Sequence, residues 1–263
     1  MNLLEKILEY KRAEIAENRE RVSLEYLKSF AAIRRDRPDW REALSQAPMG
    51  LIAEIKRKSP SAGDIRTDIN PANLASLYEE GGAQAISILM DLHFFGGQES
   101  DLVTAREQVS LPILYKEFVL SDWQVWHASS LGASAVLLIA AALSDKELAE
   151  LIACAETAEI TPLVEVHTQE EMERVRAVKP PCIGINNRDL TTFEVSLDTT
   201  FHLMELVPDD AMVISESGIR SAEDVVKLQQ AGVHAVLVGE HLLKQENVTA
   251  AVKELMSGVW ASS

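Results

Sequence analysis

The sequence contains few cysteines, and their spacing gives no sign of a disulfide framework or a metal site. Cys154 falls in a helical pattern and Cys182 at the start of a strand-like run, and neither belongs to a CxxC motif. The six histidines form no HxxxH or HExxH pattern. We therefore expect two buried free thiols and no bound metal.

Positive charge is also scarce. Lys and Arg number 25 against 41 Asp and Glu, which gives a formal net charge of −16. This excess of acidic residues argues against nucleic acid or an anionic membrane as a partner of the general surface. A small anionic ligand would need a local cluster of basic residues.

Long apolar runs are absent too. The longest run, 134–143, is about half the length that a bilayer span requires. The N-terminal MNLLEKILEYKR mixes charged with apolar residues, unlike a signal peptide. We expect a cytoplasmic protein that has no membrane partner.

Short β-branched or Leu-rich runs alternate with capped helical patterns along most of the chain. Such alternation indicates βα units around a parallel sheet. Eight runs have this character: 51–56, 84–90, 112–116, 134–139, 161–166, 182–186, 212–216 and 234–239. Between them, Ser144, Thr168 and Ser221 begin helical patterns as caps, and Gly82, Gly132 and Gly232 mark helix ends.

The segment before the first strand predicts helices instead. Residues 2–18 carry apolar residues at helical intervals, and a second short helix follows Pro38. We interpret residues 1–48 as an N-terminal helical extension packed on the main domain, residues 49–263.

The eight βα units and a repeat of 50 residues predict a closed barrel. GGAQAISIL, LGASAVLLI and AGVHAVLVG begin at 81, 131 and 231 and share a glycine, a small or β-branched residue and a strand. The sequence therefore predicts an α/β fold, a (β/α)8 TIM barrel with an N-terminal helical extension, as a single domain over 1–263. A doubly wound open sheet is the alternative, but no GxGxxG follows the first strand.

Polar residues end at least five of the otherwise apolar strands. In a barrel of this kind the active site forms at the carboxyl ends of the strands. These residues are Glu54, Lys56, Lys116, Glu165, Asn186 and the run Ser215–Gly218. One buried ion pair would explain Glu54 and Lys56 alone, but burying the whole set would cost too much unless the place is solvated and functional.

The loops after strands seven and eight favour a phosphate site. Gly218 and Gly239 allow close approach of the backbone, and Glu240 opens a short helical turn. Arg188 and Ser59 would add a charge and a hydroxyl. Phe95, Phe118 and Leu190, beyond strands two, three and six, are candidates for an apolar slot that holds a ring, or for ordinary packing at the barrel rim.

Five motifs in order resemble the indole-3-glycerol phosphate synthase family: AEIKRKSPS (53–61), LYKEF (114–118), LVEV (163–166), GINNRDL (184–190) and SESGI (215–219). The resemblance covers the chain from about residue 2 to its end. It implies a reaction without metal or cofactor that converts 1-(2-carboxyphenylamino)-1-deoxyribulose 5-phosphate to indole-3-glycerol phosphate in tryptophan biosynthesis. The enzyme would be a carboxy-lyase, and we expect it to act as a monomer.

The resemblance also implies roles for the site residues. Lys116 would be the general acid at the substrate ketone, and Glu165 would assist proton transfers. Lys56 would pair with the substrate carboxylate or act in dehydration, and Glu54 would orient Lys56 or take the later proton. Asn186 and Ser217 would contact the substrate, and the phosphate contacts would be Ser59, Arg188, Gly218, Gly239 and Glu240.

Three residues depart from the family pattern. Glu240 stands where some members have serine, so we expect its carboxylate to point away from the phosphate and its backbone N–H to make the contact. His241 and Met90 are also unusual for their positions. None of the three belongs to the proposed acid–base set.

Two other functions stay open from the residues alone. A class I aldolase-type barrel would use Lys56 or Lys116 to form a Schiff base with a phosphorylated keto sugar. A non-catalytic binder of a phosphorylated ligand would have no use for an intact acid–base set, and the set here is intact.

Overall fold

The computed structural model describes residues 2–34, 36–60, 63–190 and 192–260. Over these residues, eight parallel strands close into one barrel, in which the first strand pairs with both the second and the last. The strands are β1 (Gly50–Ile55), β2 (Ala85–Leu89), β3 (Ile113–Lys116), β4 (Ala135–Ile139), β5 (Thr161–Val166), β6 (Cys182–Asn186), β7 (Met212–Glu216) and β8 (Ala235–Val238). The predicted barrel is confirmed, and each predicted strand matches its observed bounds within a residue.

Helices surround the barrel, and the one over Trp40–Leu44 packs against its interior core. Their bounds are α1 (Leu3–Arg21), α2 (Leu24–Ile33), α3 (Trp40–Leu44), α4 (Pro71–Gly81), α5 (Leu92–Phe95), α6 (Glu99–Gln108), α7 (Asp122–Leu131), α8 (Asp145–Thr157), α9 (Gln169–Val178), α10 (Asp198–Met204), α11 (Ala222–Gln230), α12 (Glu240–Leu243) and α13 (Val248–Trp260). Among the described residues, no helix has both the length and the apolar character needed to span a bilayer.

The predicted caps begin these helices. Ser144 caps α8 in a reciprocal capping box with Glu147, and Thr168 accepts a hydrogen bond from the backbone of Glu171 at the start of α9. Gly132 ends α7 with φ of 90°, a left-handed conformation that favours glycine. Local sequence therefore marks where α8 and α9 begin and where α7 ends.

Two hydrophobic cores hold the barrel together. The larger lies between the strands and the outer helices, and the smaller fills the barrel interior. Trp40 and Leu44 of α3 belong to the interior core, where they pack with Ile52 and Leu114. Helix α3 therefore contributes to the barrel interior itself, although its sequence lies in the predicted extension.

The N-terminal extension has one more helix than the sequence predicts. Helix α1 corresponds to the helix predicted over 2–18 and ends three residues later. Helix α3 is the short helix expected after Pro38. Helix α2 was not predicted, and it packs on α7. Ser23 caps α2 by accepting a hydrogen bond from the Tyr26 backbone, a local signal for its start.

Candidate active site

A cavity of about 500 Å³ opens at the carboxyl ends of the barrel strands. All of the residues predicted for catalysis and binding line it: Glu54, Lys56, Ser59, Phe95, Lys116, Phe118, Glu165, Asn186, Arg188, Leu190, Ser217, Gly218, Gly239 and Glu240. The strands thus bring together side chains that are distant in the sequence, at the end of the barrel where such enzymes form their sites.

Side-chain alternation along the strands places three carboxylates on the inner face of the barrel. Ile52, Leu163 and Ile214 lie in the barrel interior core. Two residues further along the same strands are Glu54, Glu165 and Glu216, each at most 3% exposed. Because side chains at i and i+2 share a face, three carboxylates project into the same end of the barrel.

Two lysines meet these carboxylates. Lys56 Nζ lies 2.6 Å from Glu54 Oε1. Lys116 Nζ donates to Glu216 Oε2 at 2.6 Å and lies 3.6 Å from Glu54 Oε2. Lys116 is therefore a partly buried cation that lies between the carboxylates of two other strands, at the wall of the cavity.

Glu216 is a buried partner of Lys116 to which the sequence analysis assigns no role. It appears in the polar run at the end of strand seven, but only its neighbours Ser217 and Gly218 were given roles. The available signal was the alternation from Ile214, which places Glu216 rather than Ser215 inside the barrel. Ser217 reaches the cavity as well because its φ of 65° turns the chain out of the strand.

Two glycines, which have no side chain, leave room for the carboxylates. A Cβ on Gly184 of β6 would lie 2.3 Å from Glu216 Oε1, and one on Gly239 would lie 2.7 Å from Glu54 Oε1. Both distances are too short for real atoms. Gly239, which we predicted to contact phosphate, therefore also leaves the space that Glu54 occupies.

Burial and neighbouring charges shift the pKa values of the site residues in different directions. Burial alone would disfavour the Lys116 cation, but Glu216 and Glu54 outweigh it and raise the pKa of Lys116 above its ordinary value. Burial would raise the pKa of Glu54, but Lys56 and Lys116 lower it. For Glu216 burial prevails, and its pKa rises to about 7. The site therefore holds Lys116 as a cation beside a carboxyl group, Glu216, whose pKa lies near neutrality.

Glu165 is held as an anion by different partners. Burial acts to raise the pKa of Glu165, but His167 and Lys116 outweigh burial and lower it to about 2. Asn186 also stabilises the anion through its side chain. Two of the three inward carboxylates, Glu54 and Glu165, are thus ionised at neutral pH.

The cavity has a cationic end. Lys244 donates to Glu240 Oε1 at 2.6 Å and lowers the pKa of Glu240, and Lys56 and Arg188 act in the same direction. Arg220 lines the cavity too. The loops after β1, β6, β7 and β8 therefore supply the local basic cluster that an anion needs in a protein of net charge −16. Lys244 and Arg220 were not among the predicted site residues.

The loop after β7, which we predicted to contact phosphate, requires glycine at position 218. Gly218 has φ of 82°, and a Cβ there would lie 2.6 Å from Val195 Cγ1. Glu240 pairs with Lys244, which fits the expectation that its carboxylate faces away from a phosphate, although that orientation toward a ligand stays a prediction.

The apolar part of the cavity comes from two sources. The rings of Phe95 and Phe118 have centroids 6.1 Å apart, and Leu190 lines the same cavity. Leu3, Leu4 and Ile7 of α1 line it as well: 3, 4 and 7 are helical neighbours on one face. The α1 contribution was missed because nothing local in the sequence states where an N-terminal helix docks.

The chain is also similar to known proteins in sequence. A family model for indole-3-glycerol phosphate synthase matches residues 4–255. Curated indole-3-glycerol phosphate synthases from Acidithiobacillus ferrooxidans and Laribacter hongkongensis are 42% and 41% identical, over 97% of this chain and 98% and 99% of theirs. One from Microcystis aeruginosa is 42% identical, over 98% of this chain and 90% of its own.

Solved structures share the fold at much lower identity. A chain of the tryptophan synthase complex from Pyrococcus furiosus has a TM-score of 0.60 at 16% identity, over 80% of this chain and 98% of its own. Thiamine phosphate pyrophosphorylase from the same organism has a TM-score of 0.59 at 17% identity, over 81% and 96%. The match to the family model over residues 4–255 and the identities above 40% settle the assignment: the chain belongs to the indole-3-glycerol phosphate synthase family of carboxy-lyases in tryptophan biosynthesis.

Proposed function

We propose that the cavity converts 1-(2-carboxyphenylamino)-1-deoxyribulose 5-phosphate to indole-3-glycerol phosphate with Lys116 as the general acid. The observation that carries this proposal is the partly buried Lys116 ammonium, 2.6 Å from Glu216 and 3.6 Å from Glu54, on the wall of a cavity with one cationic and one apolar end. A substrate with a phosphate at one end and an aromatic ring at the other fits that polarity.

The phosphate would lie at the cationic end. Arg188 and Ser59 would supply a charge and a hydroxyl, and the backbone N–H groups of Gly218, Gly239 and Glu240 would donate to its oxygens. The ring would lie in the slot of Phe95, Phe118 and Leu190, with its carboxylate near Lys56. Holding both ends brings the ring carbon against the ketone, which removes much of the entropic cost of closure.

The chemistry then needs one acid at the ketone. The ring carbon that bears the carboxylate attacks the ketone carbon, assisted by the anilino nitrogen lone pair, and Lys116 donates a proton to the ketone oxygen. Loss of carbon dioxide returns its bonding electrons to the ring and nitrogen. Glu216 lies 2.6 Å from Lys116 and would return a proton to it. The Glu216 pKa of about 7 suits proton exchange at neutral pH.

Dehydration would use the opposite side of the same network. The hydroxyl formed at ring closure leaves as water after taking a proton from Lys56 or Lys116, and the adjacent carbon loses a proton to Glu165 or Glu54. The new carbon–carbon double bond completes the indole ring. Glu54 also orients Lys56, at 2.6 Å, whereas Asn186 and Ser217 would hold the substrate hydroxyls.

A Schiff-base mechanism is disfavoured by the electrostatics. Attack on a ketone requires a neutral amine, and the carboxylates around Lys116 raise its pKa. Trapping with borohydride in the presence of substrate checks this: neither Lys56 nor Lys116 should become labelled. The intact acid–base set likewise gives no support to a purely binding function.

We also propose that the protein works as a cytoplasmic monomer. The support is that the described residues of one chain supply both the charged and the apolar walls of the cavity. Sedimentation at micromolar concentration checks the oligomeric state, and a dimer would contradict it.

The decisive experiment follows indole formation by fluorescence from the carboxyphenylamino substrate. Lys116→Ala should lower kcat by about 10²-fold or more with little change in KM, because general acids act mainly in the transition state. Lys116→Arg keeps a cation between the buried carboxylates, so it serves as the second variant if Lys116→Ala does not fold. The exposed Lys146→Ala is the matched control. Turnover near that of the unmodified protein in folded Lys116→Ala would rule out the assignment.

A further inference from the structure

His167 is a buried titratable group that the proposed mechanism leaves without a role. It follows the last residue of β5 and precedes Thr168, which caps α9. Because Glu165 and His167 are two residues apart, the imidazole projects on the same side as the Glu165 carboxylate. The side chain is only 6% exposed and lies behind Glu165 rather than on the cavity wall.

The imidazole bridges two carboxylates. His167 Nε2 lies 3.2 Å from Glu165 Oε1, and Nδ1 lies 3.2 Å from Glu171 Oε2. The Nε2 contact is at ion-pair distance but lacks the alignment of a hydrogen bond. Contacts of this kind often tighten only when substrate is bound.

Glu171 fixes the histidine from the other side. Its Oε2 accepts the backbone N–H of His167 at 2.7 Å and also contacts the ring. Glu171 stands in the first turn of α9, where the helix dipole favours an anion, and its own backbone donates to Thr168. The ring is therefore held by a carboxylate that α9 itself keeps in place.

The bridge requires both ring nitrogens to carry a proton. A neutral imidazole has one donor and one acceptor, so only the imidazolium can face two carboxylates favourably. Burial opposes this charge, but contact with Glu165 and Glu171 raises the pKa of His167 to about 10. The other groups that act on Glu165 are Lys116 from β3, Asn186 from β6 and Glu216 from β7.

We infer that His167 is a positioning residue for Glu165: its imidazolium, anchored by Glu171, holds the Glu165 carboxylate as an anion against the cavity. This inference rests on the proposed role of Glu165 in proton transfer. Without His167, the buried Glu165 would share the Lys116 cation with Glu54 and Glu216, and like charges in one dry site favour protonation of one member. The imidazolium also makes a proton taken up by Glu165 easy to return.

Kinetics separate this role from a merely structural one. His167→Gln should lower kcat about 10- to 100-fold with KM changed less than about threefold, because the group acts on proton transfer rather than on substrate binding. The acidic limb of the kcat profile should move toward neutral pH by at least one unit. Glu171→Gln should lower kcat and move the acidic limb in the same direction, but by less. Because the Glu171 side chain is partly exposed, this second variant keeps the inference testable if His167→Gln does not fold. The exposed His202→Gln is the control.

A second readout does not depend on activity. The ring nitrogens of His167, followed by NMR in the full-length protein at pH 8, should give imidazolium signals where an ordinary histidine is neutral. A neutral ring at pH 8, or an unmoved acidic limb in both folded variants, would overturn the inference. Glu165→Gln distinguishes the proposed role of Glu165 from the positioning role of His167. If Glu165→Gln keeps full turnover, the proposed role of Glu165 is wrong. If Glu165→Gln is inactive and His167→Gln has normal activity, only the positioning role is wrong.

Discussion

At the scale of single residues, Gly184 shows that the site depends on a position with no side chain. Glu216 Oε1 occupies the place where a Cβ would be, 2.3 Å away. Gly184→Ala should displace the Glu216 carboxylate from Lys116 and lower kcat about tenfold or more, and overpacking should cost about 1–3 kcal/mol of stability. Steady-state kinetics and urea unfolding measure both effects.

Gly50 offers a matched control at the opposite end of the barrel. A Cβ there would lie 3.0 Å from the Leu44 backbone oxygen, away from the charged groups. Gly50→Ala should reduce stability but leave kcat unchanged. Equal losses of kcat in both variants would show that Gly184 matters only for folding.

Asn187 is the residue that ties the end of β6 to the turn after β7. Its buried Nδ2 donates to the backbone oxygens of Glu216 and Ser217, and its Oδ1 accepts from Thr200 Oγ1 at 2.8 Å. Asn187→Ala would leave buried groups without partners, so we expect a loss of about 3 kcal/mol, measured by urea unfolding. Exposed Asn73→Ala should cost under 0.5 kcal/mol, roughly the range of ordinary surface changes; a similar small loss for Asn187→Ala would contradict this.

The sequence predicts most of the charged residues that line the cavity because strand alternation is local. Glu54 and Glu165 each follow an apolar inward position by two residues, and Asn186 follows the inward Cys182 by four. Glu216 escapes this logic because serines on both sides remove the contrast between polar and apolar positions. His167 escapes it because a polar residue after a strand is ordinary in a loop, and only its two carboxylate contacts distinguish it.

At the scale of elements, α1 is fixed to the barrel by one buried cation. Lys11 is 1% exposed and contacts Asp91, Glu14 and Glu117, the neighbour of Lys116, at 2.5–3.0 Å. Lys11→Met would leave buried carboxylates without a counter-ion, so we expect a loss of about 3–5 kcal/mol. KM should also rise, since the first turn of α1 lines the cavity.

Thermal unfolding and substrate titration of Lys11→Met test both parts. Lys6→Met, on an exposed face of the same helix, is the control and should change neither quantity. A destabilised Lys11→Met with unchanged KM would mean that α1 supports the fold without shaping the cavity.

Helix α2 shows where periodicity fails. Its inner residues, Leu27 and Ala31, are buried, but Tyr26, Phe30 and Ile33 are also apolar and exposed. A helix that is apolar on both faces lacks the alternation that identifies an amphipathic segment. Only the capping serine at 23 signals its start, and a cap alone is weak evidence of a helix.

At the scale of the whole molecule, the count of eight βα units predicts closure but not what fills the ends. Closure follows because β1 pairs with β8 through Gly50–Ala53. The packing of Trp40 and Leu44 into the interior core joins residues far apart in the sequence. No local pattern distinguishes such a helix from one packed on the surface.

The stability of the molecule should increase as pH falls from 8 to 5.5, partly because of Glu117. Burial raises the pKa of Glu117 to about 7, against the effect of Lys11, from an ordinary value near 4.5. A raised carboxyl pKa means that the folded state binds the proton first, so its contribution to stability is absent above pH 7 and complete below about 4.5. At about 1.4 kcal/mol for each pKa unit, Glu117 alone should add about 2 kcal/mol between pH 8 and 5.5. Urea unfolding at both pH values measures this, and Glu117→Gln should lose that increment while retaining the contribution of the falling net charge. If the increment is equal in both proteins, Glu117 is ionised in the folded state, and Lys11 rather than burial sets its charge.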